Sequence, residues 1–113
     1  MRGLICLLAL FPLAACEHRE SQLKTRQAKA LIASHCAACH QVPGVAVATG
    51  RVGPSLAHFG SQQIIAGYFA NNPEMLTRWI EHPQAMLPGN AMPEMGLLPD
   101  QAAAIVDYLY TME

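Results

Sequence analysis

A chain of 113 residues is long enough for one small domain and no more. It is 52% hydrophobic with a formal net charge of -1, which excludes a disordered chain, and without a basic patch or an interleaved aromatic platform it also excludes nucleic-acid binding. A domain this small has a thin core and usually needs a staple such as a metal or a covalent cofactor.

The chain opens on a minimal positive segment, Met1-Arg2-Gly3, followed by an almost wholly apolar run from Leu4 to Leu13. That run is too short to span a bilayer, which takes about 20 residues, and it has the form of a secretory signal. Leu13-Ala14-Ala15-Cys16 also matches the bacterial lipobox, in which a lipid is attached to the cysteine and the chain is cut just before it. Residues 1–15 are therefore expected to be a lipoprotein signal peptide, with Cys16 the lipid attachment site. The polar residues 16–24 are expected to form a lipid-anchored tether. At about 3.3 Å per residue it would hold the domain on the order of 25 Å from the membrane. The expected location is the periplasmic face of a bacterial cell envelope.

The cysteines then sort without remainder. Cys6 leaves with the signal and Cys16 carries lipid, so Cys36 and Cys39 are left, three positions apart. In an oxidising compartment two such thiols need a chemical explanation. Leu23 to His35 reads as a helix, with Ala28, Leu31 and Ile32 on one face. It runs straight into Cys36-Ala37-Ala38-Cys39-His40.

C-x-x-C-H is the attachment signature of c-type haem. Both thiols add across the haem vinyl groups as thioethers, the spacing places both sulfurs on one turn, and the adjacent His40 supplies an imidazole nitrogen to iron. A thioredoxin-like redox motif would need βαβ patterning, and no convincing strands are legible. A zinc site would need a second ligand pair, which His18, His35, His58 and His82 do not supply at motif spacing. A plain Cys36–Cys39 disulfide remains the alternative.

Gln41 to Gly53 holds Pro43, Gly44, Gly50 and Gly53 and reads as loop. Ser61 is expected to cap a short helix with Ile64, Ile65, Tyr68 and Phe69 facing inward. Asn72-Pro73 is an N-cap and first-turn pair that opens a helix bearing Met75, Leu76, Trp79 and Ile80 on one side, and Pro83 ends it. Gln84 to Leu98 is a second loop, rich in Pro and Gly. Leu98-Pro99-Asp100 begins a last helix with the apolar stripe Ala102, Ile105, Val106 and Leu109. The expected fold is all-α, with about four helices and loops around one covalently bound haem, over a domain of residues 25–113.

His40 leaves one axial position of the iron to fill. Met75, Met86, Met92, Met95, Met112 and the four other histidines are candidates. Met75 belongs to a helical apolar face and Met112 to the chain end. Met86, Met92 and Met95 lie in the second loop, which can wrap over the distal face and present a thioether.

The chain resembles a class I cytochrome c. It is most similar to the mono-haem domains that occur alone or fused to subunit II of haem–copper cytochrome oxidases. The resemblance runs through Cys36-Ala37-Ala38-Cys39-His40, Gly53-Pro54-Ser55-Leu56, Asn72-Pro73 to Ile80, Pro83-Gln84, Pro88-Gly89-Asn90-Ala91-Met92-Pro93 and the helix ending in Tyr108-Leu109. It implies that Met92, of the Met-Pro pair, is the distal iron ligand. It implies that the Pro54 carbonyl accepts a hydrogen bond from His40, and that Trp79 lies near a haem propionate. Relatives often carry Arg after the Gly-Pro-x-Leu segment, where this chain has Gln62-Gln63, which leaves Arg51 as a candidate propionate partner.

The implied function is single-electron transfer in a respiratory chain, by a carrier rather than an enzyme. The expected acceptor is a terminal oxidase or another respiratory complex, which points to the cytoplasmic membrane. The alternative is a haem-based gas sensor or small haem enzyme with a labile distal ligand. Lys24 and Lys29 are the only lysines, so a steering ring of lysines is absent. Docking is expected to rest on Val42, Val45, Val47 and Leu87 near the crevice.

Overall fold

The computed structural model describes residues 12–113. The expected signal segment and Cys6 lie largely or wholly outside them. Four α-helices are present among the described residues: α1 (Pro12–His35), α2 (Pro73–Glu81), α3 (Pro83–Met86) and α4 (Pro99–Leu109). A 3₁₀ turn (Phe59–Ser61) and a two-stranded hairpin, β1 (Ile64–Ile65) and β2 (Phe69–Ala70), lie between α1 and α2.

The core forms where α4 packs against both α1 and α2. Ile32, Leu76 and Ile105, one from each of these helices, are the largest apolar side chains that are fully buried. Helix starts follow local chemistry. The side chain of Asn72 accepts from the backbone N–H of Met75 at 2.8 Å, with Pro73 in the first turn, where its missing N–H costs nothing. In α4 the Gln101 side chain accepts from the Leu98 N–H at 2.9 Å, and Pro99 again opens the helix.

The structure corrects four expectations. Residues 16–24 are not an extended tether but part of α1, exposed throughout. Glu, Arg, Gln and Lys are strong helix formers, and Glu20–Lys24 pair one turn apart at 3.0 Å. At about 1.5 Å per residue a helix has roughly half the reach of an extended tether.

The segment after Ser61 is a hairpin rather than a helix. Ala66 and Gly67 both take positive φ, 53° and 78°, which closes a tight turn of the kind that matches strand twist. Ile65 pairs with Phe69 and Ile64 with Ala70. Side chains therefore alternate with a period of two, leaving Ile65 buried while Ile64 and Tyr68 are exposed.

The second loop contains the short helix α3. Val42 and Val45 are core residues, not a docking surface, and Val47 alone of the three is exposed. The segment closes on itself through a Gln41–Thr49 bridge and a Val42 N–H bond to Ala48 at 3.2 Å, which turns its apolar side chains inward.

Candidate functional site

α1 delivers the cysteine motif by failing to continue as a regular helix. Cys36 N–H and Ala37 N–H both donate to the Ile32 carbonyl, and Cys39 N–H and His40 N–H both donate to the Cys36 carbonyl. The chain widens at Ala37, whose bond reaches back five residues, and tightens at Cys39, whose bond reaches back three, and this puts Cys36, Cys39 and His40 on the wall of one cavity. Ala37 turns into the core and Ala38 out to solvent. Cys36 and Cys39 are not joined to each other in this structure. Burial pushes the Cys36 thiol up to about 11, with Cys39 beside it adding to the effect.

The loop over residues 50–54 passes unusually close to this turn. Gly50 N–H donates to the Ala37 carbonyl and Gly53 N–H to the Cys39 carbonyl, at 3.1 and 2.8 Å. A Cβ on Gly50 would meet the backbone of Ala38 and Cys39, and one on Gly53 would meet the His40 ring. The approach brings the Pro54 carbonyl within 2.7 Å of His40 Nδ1. A carbonyl can only accept, so Nδ1 carries the proton and Nε2 keeps its lone pair.

The cavity has a volume of about 300 Å³. Its walls are mostly apolar, with Leu76, Trp79 and Ile80 from α2 and Ile105 and Leu109 from α4. Trp79 is nearly buried and packs against Phe69, ring centroids 5.9 Å apart. Of the candidate sulfur donors, Met92 and Met95 line the cavity. Met75 and Met86 line a separate surface hollow with Arg78 and His82.

None of the four other histidines lines the cavity. His18 bonds Gln22, His58 bonds the Glu113 carbonyl, and His82 faces Glu94. Arg51 is not on the cavity wall either, whereas Gln62 is. Leu87, expected at a docking surface, is part of the wall. Residues 84–95 reach the cavity through a set of side-chain amide bonds that sequence patterns do not disclose.

A wider groove of about 800 Å³ lies between the exposed part of α1 and α4, lined by Glu17, Glu20, Lys24 and Asp107 among others, and it holds no cysteine, histidine or methionine. Among the described residues no cluster of three or more His, Cys, Asp or Glu side chains is placed to hold a metal ion. The chemistry is therefore concentrated in the apolar cavity. Two thiols, an imidazole with an oriented free nitrogen and thioether sulfurs in mostly apolar walls fit a covalently attached haem.

The cytochrome c family model matches residues 26–113. The chain belongs to the cytochrome c family. It is 37% identical to cytochrome c oxidase subunit 2 of Alkalihalophilus pseudofirmus over 79 residues, covering 69% of this chain and 22% of that protein. It is 32% identical to cytochrome c oxidase subunit 2 of Bacillus sp. strain PS3, covering 78% of this chain and 26% of that one. The chain thus spans only about a quarter of the length of these two relatives. Cytochrome c2 iso-2 of Magnetospirillum molischianum is 32% identical, with 69% of this chain and 91% of that protein covered. This cytochrome c has the mainly helical class I fold with a small added hairpin. It binds haem c covalently through its cysteines, and its function is electron transfer.

Proposed function

We propose that this cytochrome c is a lipid-anchored, mono-haem carrier that works at the periplasmic face of the bacterial cytoplasmic membrane and delivers electrons to a terminal oxidase. In this reading Cys36 and Cys39 hold the haem, His40 and Met92 are the axial ligands, Pro54 orients His40, and Trp79 walls the haem pocket. The observation that carries it is the meeting of Cys36, Cys39, His40, Pro54, Trp79 and Met92 on one apolar cavity.

The haem supplies a one-electron couple between ferric and ferrous iron. The protein's own residues set how that couple behaves. The bond from His40 Nδ1 to the Pro54 carbonyl fixes the ring and raises the basicity of Nε2. The Met92 thioether is a soft donor that favours the ferrous state and raises the potential. Leu76, Ile80 and Ile105 keep water from the cavity and so penalise added positive charge. With His40 and Met92 both holding the haem, its chemistry would be electron transfer rather than substrate binding.

The similarity to oxidase subunits 2, over 22% and 26% of their length, supports a respiratory partner. The Leu13-Ala14-Ala15-Cys16 motif supports the lipid anchor, and Cys16 is exposed. No described helix is long and apolar enough to cross a membrane. Confinement to one surface raises the effective concentration of carrier and partner without a strong interface.

The test is the weak far-red sulfur-to-iron charge-transfer band of the ferric protein, in wild type and Met92→Ala. The expected result is a band in wild type that the variant lacks, with a potential lower by on the order of 100 mV. Absence of the band in wild type, or its persistence in the variant, would overturn Met92 ligation.

A further inference from the structure

Met92 is held by two side-chain amides, each making three hydrogen bonds to backbone groups of residues 83–92. The Gln84 side chain donates from Nε2 to the Asn90 carbonyl at 2.9 Å and to the Met92 carbonyl at 2.8 Å. Its Oε1 accepts from Gly89 N–H at 3.1 Å. The Asn90 side chain donates from Nδ2 to the Pro83 carbonyl at 3.0 Å and to the Leu87 carbonyl at 2.7 Å, and its Oδ1 accepts from Met92 N–H at 2.7 Å. Both backbone polar atoms of Met92 are thus held by side chains.

The chemistry allows only one orientation for each amide. Carbonyls can only accept and backbone N–H groups can only donate, so exchanging oxygen and nitrogen in either side chain would oppose like dipoles at all three of its bonds. On the far side of Met92, Glu94 Oε1 accepts from Gln84 N–H at 3.1 Å. The loop is therefore closed on both flanks of the methionine, and its ends are anchored to α3. Five of the six amide bonds are part-buried, where a lost partner is costly.

We propose that Gln84 and Asn90 are positioning residues that hold the Met92 thioether on the iron, keeping the axial position closed to outside ligands. The proposal rests on the reading of Met92 as the axial ligand. An unpinned loop of this kind would open readily, because Pro88, Gly89 and Gly96 leave it without regular structure of its own. An entering ligand must first displace the thioether. Its apparent affinity then reports the free energy of the closed loop relative to the open one.

Gln84→Glu and Asn90→Asp test this with almost no change in shape. Each removes two donors and sets a carboxylate against two carbonyl oxygens. Asn71→Asp is the control. Asn71 also donates twice, to the carbonyls of Phe59 and Gln62, but outside the loop that carries Met92. The measurement is imidazole affinity of the haem-loaded ferric protein, read from the far-red band, with urea unfolding of each variant alongside and Met92→Ala in parallel.

The expected result is that Gln84→Glu and Asn90→Asp each bind imidazole roughly tenfold or more tightly than wild type, while Asn71→Asp loses stability without that gain. Should a carboxylate variant fail to fold, Gln84→Ala leaves the same partners to water and repeats the test in milder form. Equal gains in Asn71→Asp, or gains under about twofold at both loop positions, overturn the positioning role while leaving Met92 as ligand. A far-red band that survives Met92→Ala overturns the ligand reading and the proposal with it.

Discussion

His40 Nδ1 lies 2.7 Å from the carbonyl oxygen of Pro54, and Gly53, the residue before that proline, is what lets the two meet. A methyl group at position 53 would strike the imidazole ring. Gly53→Ala is expected to move the ring off the Pro54 carbonyl and to cost about 1–3 kcal/mol in stability. A histidine that loses this bond is a weaker donor to ferric iron, so the potential should rise, by on the order of 40 mV for about 1 kcal/mol of lost differential stabilisation. Redox titration beside urea unfolding checks both. A drop in stability with an unmoved potential would show that the bond does not tune the iron.

The hydroxyl of Tyr108 ties the loop after the haem motif to α4, donating to the Pro43 carbonyl at 2.9 Å, with the Lys29 ammonium 5.8 Å from the ring centroid. Burial pushes this phenol above its ordinary value of 10.0. The fold thus favours the protonated form. Its contribution is fully present below the ordinary value and is lost as pH rises through the higher folded value. Tyr108→Phe should cost about 1 kcal/mol at neutral pH, and the gap to wild type should shrink in solutions well above pH 10. Urea midpoints at neutral and strongly alkaline pH make the comparison. A gap that stays constant would mean the hydroxyl proton is not what holds the loop.

α1 is exposed from Ala15 to Gln27, and Ala28 is the first residue of the helix that is buried among those whose burial is described. An anchor at Cys16 can therefore be removed without touching the haem cavity. On the proposed reading, Cys16→Ser in a form from which residues 1–15 are still removed should leave the membrane fraction for the soluble fraction, with an unchanged visible spectrum. Continued membrane association of that processed variant would rule out Cys16 as the anchor.

Local chemistry in the sequence determined where α2 and α4 start and what the cofactor is. Asn72-Pro73 and Leu98-Pro99 open helices because a cap and a first-turn proline act within four residues of one another. Cys36, Cys39 and His40 share one wall because three- and four-residue spacings fall on one side of a turn, whatever surrounds them. The class I fold followed from the resemblance, since the matched motifs run through most of the domain.

Tertiary structure decided the rest, wherever two readings were locally equal. Ile64, Ile65, Tyr68 and Phe69 suit a helical face as well as a hairpin, and the positive φ at Ala66 and Gly67 selects the hairpin. Val42 and Val45 look like an exposed apolar loop until the Gln41–Thr49 bridge turns them inward. Five methionines outside the expected signal are sulfur donors of the same kind; packing alone puts Met75 and Met86 on one surface and Met92 and Met95 on another. Gln84 and Asn90 have no sequence signal at all as holders of Met92. Their partners are backbone carbonyls and N–H groups, which every residue type provides, so only the path of the chain brings them within hydrogen-bond reach.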